Sequence, residues 1–302
     1  MNAADNDLPV IRDHRRQWRD CLYVYPVISR RAKGLSIGVN LNPDKQCNFS
    51  CRYCQIDRTA RRNLHHVDIA CLRAELREAM SAAASGELWF EPRFRRTPEA
   101  LRRLNDIALS GDGEPTCLAN FDEAVAAAAD VRKEFARPEV KIVVITNASL
   151  LDAPQVRRAL PILDASNGEI WAKLDAGTEE RFRTINRPAA GLTLQRIADN
   201  IAAVARDRPV VIQTLLCRID GAVPPADEID AYCRRLRQVI DSGGQVKLVQ
   251  LHTIARPPQD PSASALSDAE LDAAAEKVRA ALPGVAVETF YGAAPPQEGS
   301  KD

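Results

Sequence analysis

The sequence predicts an α/β fold built on a parallel β-sheet. Three observations lead to this class. Short apolar runs alternate with helical patterns from about residue 36 onward. The 302 residues, 45% of them hydrophobic, can bury a sizeable core as one large domain or two small ones. Polar and glycine-containing motifs follow several of the apolar runs, where such folds bind ligands. Six or seven βα units fit a full or partial barrel, or a doubly wound sheet.

Each predicted element has its own pattern. Apolar, β-branched runs predict strands at 36–41, 107–110, 140–146, 169–174, 209–216, 245–254 and 285–291. Helical periodicity predicts helices at 68–80, 119–135, 153–163, 193–207, 226–240 and 267–282. In the first helix, Ile69, Leu72 and Leu76 recur on one face, and Ser267 is a suitable N-cap for the last. The strands and helices alternate, which favours right-handed βαβ units.

Composition indicates the cellular compartment in which the protein is expected. No run of about 18 apolar residues occurs, so we expect no membrane-spanning helix. The segment MNAADNDLPVIRDHRRQW lacks the apolar stretch of a secretion signal. We therefore expect a cytoplasmic protein, without membrane association, whose thiols are mostly reduced. Its eight cysteines are then expected to be ligands or buried small residues rather than disulfides.

The formal net charge is zero, but the charge is unevenly distributed. Residues 1–105 hold 19 Lys and Arg against 12 Asp and Glu, and the rest hold 22 against 29. The basic third could favour an anionic ligand or nucleic acid, or be a solvated surface balanced elsewhere. The segment IDRTARRNLHH also has two interpretations. It could be a solvated loop, or it could form a basic lip for an anionic substrate from Arg58, Arg61, Arg62, His65 and His66.

The stretch QCNFSCRYCQ places Cys47, Cys51 and Cys54 at C-x₃-C-x₂-C spacing. Three thiolates cannot complete a four-coordinate site, so whatever they hold keeps one position open. An iron–sulfur cluster whose fourth iron lacks a protein ligand fits this spacing. Structural zinc is the competing interpretation, with His65 or His66 as a further ligand.

The motif resembles the signature of the radical S-adenosylmethionine (radical SAM) superfamily, including the aromatic Tyr53 before the last cysteine. LSGDGEPT is similar to that superfamily's glycine-rich loop. VYPVISRR, GLSIGVNLNP, LDAGTEERFRTINRP and VQLHTIARPP resemble the branch that contains the wyosine-type tRNA-modifying enzymes and uncharacterised relatives. The resemblance covers about residues 23–258. It implies a partial (βα)6 TIM-like barrel, with an N-terminal extension at 1–34, the core barrel at 35–258, and a C-terminal helix–strand extension with a disordered tail at 259–302.

The resemblance also implies the cofactors. Cys47, Cys51 and Cys54 would ligate three irons of a [4Fe-4S] cluster, and S-adenosylmethionine (SAM) would chelate the fourth. The reduced cluster would then cleave SAM to a 5′-deoxyadenosyl radical that acts on an unidentified substrate. An external one-electron reductant of the flavodoxin or ferredoxin type is implied as a partner.

Five further residues are expected at the SAM site. Gly111 and Gly113 lack a Cβ and would let the backbone approach the ligand. Glu114 could accept from the amino group of SAM, and Tyr53 could stack on adenine. Asn147 could hydrogen-bond the cofactor or cap the next helix. An ordinary turn and a plain packing aromatic are the alternatives for the glycine-rich loop and Tyr53.

Strand alternation predicts which other side chains point into the barrel. These are Trp171, Lys173 and Asp175, then Gln213 with Cys217, then Gln250 with His252. Lys173 and Asp175 could contact the ribose or carboxylate of SAM, or form an ion pair at the rim. His252 is the candidate general acid or base, and Cys217 could relay a radical or be an inert buried thiol.

Two other functions remain open on the sequence. One is a wyosine-like tRNA or nucleoside modification. The wyosine-forming enzymes carry extra upstream cysteines for a second cluster, but only Cys21 lies upstream here, and the neutral net charge gives no support for nucleic acid. The other is a non-enzymatic metalloprotein, with structural zinc or an electron-carrying cluster.

Overall fold

The computed structural model describes residues 16–58 and 66–292, and its centre is one eight-stranded sheet. The strands run in the order β1-β2-β3-β4-β5-β6-β8-β10, and a separate two-stranded sheet pairs β7 with β9. The strand bounds are β1 Val24–Ser29, β2 Gly34–Asn40, β3 Leu104–Ser110, β4 Lys141–Thr146, β5 Gly168–Lys173, β6 Val210–Leu215, β7 Cys217–Ile219, β8 Val246–His252, β9 Ala263–Ala265 and β10 Ala286–Phe290. All neighbours in the large sheet are parallel except β1 and β2.

In the described residues, seven α-helices connect and cover the strands. Their bounds are α1 Ile69–Ser85, α2 Phe121–Glu134, α3 Pro154–Asp164, α4 Glu179–Asn186, α5 Leu194–Asp207, α6 Ala226–Asp241 and α7 Asp268–Ala281. Short 3-10 turns lie at Glu87–Phe90, Glu99–Leu101 and Pro115–Cys117. Ser267 caps α7 as predicted, in a reciprocal pair with Glu270. In the described part of the chain, no helix has the length and apolarity needed to cross a membrane.

The sheet curls until its two edge strands approach each other. The turn between β1 and β2 contacts the end of β10, where Arg30 Nη1 donates to the Tyr291 carbonyl at 2.6 Å. In the same turn, Lys33 Nζ lies 2.7 Å from Glu288 Oε1 on β10. Side-chain contacts of one turn thus bridge the gap in place of a continuous strand ladder. The architecture is a partial TIM-like barrel, as predicted.

Alternate residues of the central strands face the helices or the barrel interior. Ile142 and Ile170 belong to the large core beneath the helices. Their neighbours Val143 and Trp171 pack with Ala108 in a small cluster on the other face. Because both faces are buried, these strands appear in the sequence as continuous apolar runs.

All seven predicted strands and six predicted helices are present, with ends shifted by a few residues. Four elements were not predicted: strands β1, β7 and β9 and the short helix α4. β1 contains Pro26 and lies at the edge of the sheet, where proline is tolerated. Of the predicted basic lip, Arg61, Arg62 and His65 lie outside the described residues.

The predicted division at residues 34 and 258 stays a prediction, and both flanking segments contribute to the main sheet. β1 from the first segment pairs with β2, and β10 from the last pairs with β8. The chain on either side of the predicted core therefore supplies the two sheet edges.

Asp106 is a buried carboxylate on β3. It lies in register with Ser36 on β2 and with Lys141 on β4, and the Ser36 hydroxyl donates to it. Burial raises the pKa of Asp106 to about 6, although Ser36 and Lys141 act in the opposite direction. The folded protein therefore binds a proton at this residue more tightly than the unfolded chain.

This raised pKa makes the protein less stable as the pH rises from about 4 to 6, because the unfolded carboxyl ionises first. Asp106→Asn keeps an acceptor for Ser36 and removes the charge. We expect the variant to gain about 2 to 3 kcal/mol over wild type at pH 7.5 and little at pH 4. Urea unfolding at the two pH values measures this difference. The exposed Asp241→Asn on α6 is the control, and a destabilised Asp106→Asn at pH 7.5 would contradict the prediction.

Candidate functional site

The three cysteines of the motif lie on an irregular loop that follows β2, and all three thiols are partly buried. Burial raises the pKa of Cys47, and it raises that of Cys51 to about 11. The Phe49 backbone N–H points to Cys47 Sγ at 3.5 Å. Such N–H donors stabilise a thiolate, and metal binding would deprotonate the thiols outright.

The other two sulfurs also have nitrogen donors beside them. Asn186 Nδ2 lies 3.5 Å from Cys51 Sγ, and Arg58 Nη2 lies 3.5 Å from Cys54 Sγ. Hydrogen bonds and positive charge at the sulfurs are features that tune iron–sulfur clusters. The donor set therefore fits a cluster with three cysteine ligands.

Structural zinc was the competing interpretation of the motif. Zinc binds all its ligands within about 2.0–2.3 Å of a single centre, whereas cluster thiolates bind different irons. Within residues 16–58 and 66–292, no three His, Cys, Asp or Glu side chains form a group that could hold one metal ion. His65, a further zinc ligand that the sequence offered, lies outside these residues.

The glycine-rich loop after β3 packs directly on the cysteine loop. The Glu114 N–H donates to the Gln46 carbonyl at 2.9 Å. A Cβ on Gly113 would overlap that carbonyl oxygen, and a Cβ on Gly111 would overlap Asn40. We expected these glycines to admit a ligand. The close approach that requires them is instead to the chain itself, and only then can Gly111 also line the adjoining cavity.

Glu114 joins this loop to the end of β4. Its buried carboxylate accepts from the hydroxyls of Thr116 and Thr146, both at 2.6 Å, and from the Asn147 N–H at 2.7 Å. Burial raises its pKa, and these hydrogen bonds offset part of the shift. Oε1 accepts from both hydroxyls. Among the described donors, Oε2 accepts from the Asn147 N–H alone, so it can accept one further hydrogen bond.

Asn147 ties β4 to the cysteine loop. Its Nδ2 donates to Asn48 Oδ1 at 2.7 Å, and its Oδ1 accepts from the N–H and hydroxyl of Ser149. Asn48 Nδ2 in turn donates to the Ser149 hydroxyl at 2.7 Å. The side chain is thus held in a polar network that fixes the loop.

Helix α4 supports the cysteine loop from the other side. The Ser50 N–H donates to the Asn186 carbonyl at 3.2 Å, and the Arg52 N–H donates to the Ile185 carbonyl at 2.8 Å. These last-turn carbonyls have no partner within the helix, so the loop satisfies them. Only eight residues long, α4 gave too little periodicity to be predicted.

Asp175 gathers several site residues. Its carboxylate accepts from the Tyr53 hydroxyl, from Asn186 Nδ2 at 2.8 Å and from the Leu215 N–H at 2.9 Å. Lys173 Nζ lies 3.5 Å from Asp175 Oδ1 and 4.9 Å from the centre of the Tyr53 ring. The sequence identified Tyr53, Lys173 and Asp175, but not Asn186. Asn186 lies in INRP, within the motif LDAGTEERFRTINRP quoted above, and that position was the one sequence signal that could have identified it.

The segment after residue 258 also contacts the cysteine loop. The Gln259 N–H donates to the Cys54 carbonyl at 2.9 Å. Arg52 and Arg187 both bind Asp260, at 3.2 and 3.1 Å. We expected residues 259–302 to form an extension outside the core barrel. After β8, however, the chain passes beside the cysteine loop.

A cavity of about 220 Å³ opens beside the cysteine loop, lined in part by Tyr53, Cys54, Lys173, Gln213 and His252. Burial lowers the pKa of His252 well below its usual value, and nearby positive charges lower it further. The imidazole is therefore neutral at pH 7 and can accept a proton in that form, although its lowered pKa makes it a weak base. Its buried Nδ1 has no hydrogen-bond partner among the described residues.

Cys217 does not line this cavity, although it packs in one cluster with Tyr53, Leu215 and Ile254, which do. Strand β6 ends at Leu215, and Cys217 begins β7, which pairs with Ala263–Ala265 instead of continuing the large sheet. Strand alternation therefore does not extend to Cys217, contrary to our prediction. The thiol is fully buried among apolar side chains, and burial raises its pKa to about 12. Its environment is that of an inert packing residue.

The contact at Gly113 gives a test of loop packing. Gly113→Ala should cost about 1 to 3 kcal/mol of stability, because the added methyl overlaps the Gln46 carbonyl. It should also lower the iron retained after anaerobic reconstitution. Thermal unfolding and iron analysis measure the two effects.

Gly191→Ala is the matched control for this variant. Gly191 has φ +84° with open space around a Cβ, so the strain should cost only about 1 kcal/mol and leave iron retention unchanged. Equal stability and iron content in Gly113→Ala and wild type would show that the two loops are not in close contact.

The sequence model of the Radical SAM superfamily matches residues 41–218, more than half of the chain. The UPF0026 protein of Methanocaldococcus jannaschii is 31% identical over 183 residues, or 59% of this chain and 48% of that relative. The chain thus spans about half the length of this curated relative.

Two solved structures share the fold at low identity. Streptococcus suis SuiB bound to S-adenosylmethionine has a TM-score of 0.57 at 12% identity, covering 86% of this chain and 52% of SuiB. TYW1 with a lysine-pyruvate adduct bound has a TM-score of 0.51 at 16% identity, covering 90% and 87% of the two chains. The matched segment contains the cysteine motif, the glycine-rich loop and strands β3 to β6. The chain therefore belongs to the radical SAM superfamily.

Proposed function

We propose that this protein is an enzyme that uses one [4Fe-4S] cluster, held by Cys47, Cys51 and Cys54, to cleave SAM reductively. The observation that carries the proposal is the cysteine loop itself. Its three thiols each have a nitrogen donor at 3.5 Å, and the loop borders a cavity at the rim of the barrel. When bound, the cluster and SAM supply a 5′-deoxyadenosyl radical that acts on the substrate.

The residues around the loop hold the reactants in place. Cys47, Cys51 and Cys54 would hold the cluster, and with three protein ligands it would keep a position open for SAM. Glu114 Oε2 retains capacity to accept from the amino group. Tyr53 offers its ring to adenine at the wall of the cavity, and its hydroxyl is fixed by Asp175. Lys173, beside both, is placed for the ribose or carboxylate of SAM.

Other residues act by positioning these groups. Asn147 and Asn186 bind the loop and Asp175, and so keep Cys51 and Tyr53 in register. His252 is neutral and lines the same cavity, so it is the candidate base for a substrate proton. We assign no radical role to Cys217. The proposed electron donor is a small flavodoxin or ferredoxin, in the cytoplasm.

A wyosine-like modification of tRNA or a nucleoside is the second candidate. The shared fold with TYW1 over 90% of this chain favours it. Among these 302 residues, Cys21 is the one cysteine before the motif, which does not favour this candidate. Salt-dependent tRNA binding in a filter assay would support this candidate, and its absence at low salt would remove it.

Reductive cleavage of SAM is directly measurable. Protein reconstituted anaerobically with iron and sulfide should form 5′-deoxyadenosine when SAM and dithionite are added, as quantified by chromatography. Cys51→Ala should form none above the protein-free background, because one iron loses its ligand.

Cys71→Ala is the matched control for this assay. Cys71 is a partly buried thiol on α1, outside the motif, and the variant should behave as wild type. Failure of wild type to form 5′-deoxyadenosine, together with zinc as the bound metal, would overturn the proposed function. Equal product from wild type and Cys51→Ala would also overturn it.

A further inference from the structure

The cavity beside the cysteine loop is lined by a strong excess of positive charge. Six cationic side chains line it, and no carboxylate does among the described residues: Arg16, Arg30, Arg31, Arg58, Lys173 and Arg256. They come from five separate segments of the chain, which fold together only in the tertiary structure. A pocket of one sign concentrates ligands of the opposite sign.

Several of these cations have partners just outside the cavity. Arg16 forms an ion pair with Asp112, and Lys173 lies 3.5 Å from Asp175. Arg58 donates to the Lys45 carbonyl at 2.5 Å. Arg16, Lys173 and Arg58 therefore have partners within the protein. Arg30 donates to the Tyr291 carbonyl, as described above.

Arg31 and Arg256 differ from the rest. Neither guanidinium forms a hydrogen bond or ion pair with any residue in the described part of the chain, and both are half-buried. Burial lowers the pKa of each to about 10, and the neighbouring arginines lower it further. Asp106 is near enough to oppose this effect at Arg31 without forming an ion pair.

The proposed cofactors do not account for these two side chains. SAM has one carboxylate, which the proposed function assigns with the amino group to the cluster, and its sulfonium stays cationic. The negative charge of the thiolates lies at the cysteine loop, where Arg58 is beside Cys54. Arg31 and Arg256 are thus left without an anionic partner among the described residues.

We propose that Arg31 and Arg256, with Arg30 beside them, bind a phosphate group of the substrate, so that the enzyme acts on a small phosphorylated molecule. The proposal rests on the proposed function for its reaction, but not for its binding site. Guanidinium groups match phosphate oxygens in paired hydrogen bonds.

A phosphate ester fits the site better than a lone carboxylate. At neutral pH it carries close to two negative charges and three acceptor oxygens. It can therefore engage both guanidinium groups at once, whereas a carboxylate has a single charge. The recessed position also favours a small molecule. A nucleic-acid backbone is usually bound by exposed lysines and arginines, whereas Arg31 and Arg256 are half-buried. Arg31 also lines a second cavity.

Binding of inorganic phosphate to the protein, without SAM or reductant, tests the site. Calorimetric titrations at constant ionic strength would compare wild type, Arg31→Gln, Arg256→Gln and Arg234→Gln. Arg234 is an exposed arginine on α6, away from the cavity, and its variant carries the same charge change. We expect wild type and Arg234→Gln to bind alike, and the other two variants to bind at least about tenfold more weakly.

Thermal unfolding without phosphate controls for folding. Removing one of several repelling charges should leave the midpoint of Arg31→Gln and Arg256→Gln equal to that of wild type or above it at low salt. Citrate and an RNA oligomer without terminal phosphates serve as competing probes, and neither should displace phosphate at equal concentration.

Four outcomes would overturn the inference: no phosphate binding by wild type, binding unchanged in Arg31→Gln and Arg256→Gln, preference for citrate, or tighter binding of the RNA oligomer. The 5′-deoxyadenosine assay is run separately on the same wild-type preparation. Phosphate binding without SAM cleavage would therefore refute the proposed function alone. SAM cleavage without phosphate binding would refute this inference alone.

Discussion

The close packing of the glycine-rich loop on the cysteine loop is the contact on which the site depends. The cysteine loop has no regular secondary structure, so its position must be fixed from outside. Gly113 lies against the Gln46 carbonyl, and the next residue donates its N–H to the same oxygen. Only a residue without a Cβ allows this approach. The loop after β3 therefore sets where the thiols stand relative to the barrel.

Two buried carboxylates organise the rest of the rim. Glu114 accepts from the loop after β3 and the end of β4, and Asp175 accepts from the cysteine loop, α4 and β6. Burying a charge is costly unless it is hydrogen-bonded. Both carboxylates meet that condition by drawing donors from several segments at once. The same contacts that offset the burial therefore hold the loops in a fixed arrangement.

The turn between β1 and β2 serves the fold and the cavity together. Arg30 and Lys33 bridge the two edges of the sheet through β10. Arg31, between them in sequence, faces the cavity. Closing the barrel in this way brings a guanidinium group toward Arg256, which follows β8. The turn that closes the sheet thus supplies two of the six cations of the cavity, Arg30 and Arg31.

The sequence by itself determined the alternation of strands and helices and the cysteine motif, because these depend on local periodicity and spacing. The superfamily came from the resemblance of its motifs to those of known proteins. It also identified Tyr53, Lys173 and Asp175, which stand near the ends of strands or in the motif. It could not identify β1, whose Pro26 is acceptable only at a sheet edge, or Asn186, whose role arises from contact with residues far away in the chain.

Only the tertiary structure decided how those parts act. It showed that Gly111 and Gly113 are required by neighbouring backbone, that Cys217 leaves the barrel interior, and that residues after 258 contact the cysteine loop. It also brought Arg31 and Arg256 to one cavity from segments more than 200 residues apart. The physical reason is that charge, burial and close approach depend on distances in space, which local sequence patterns do not encode.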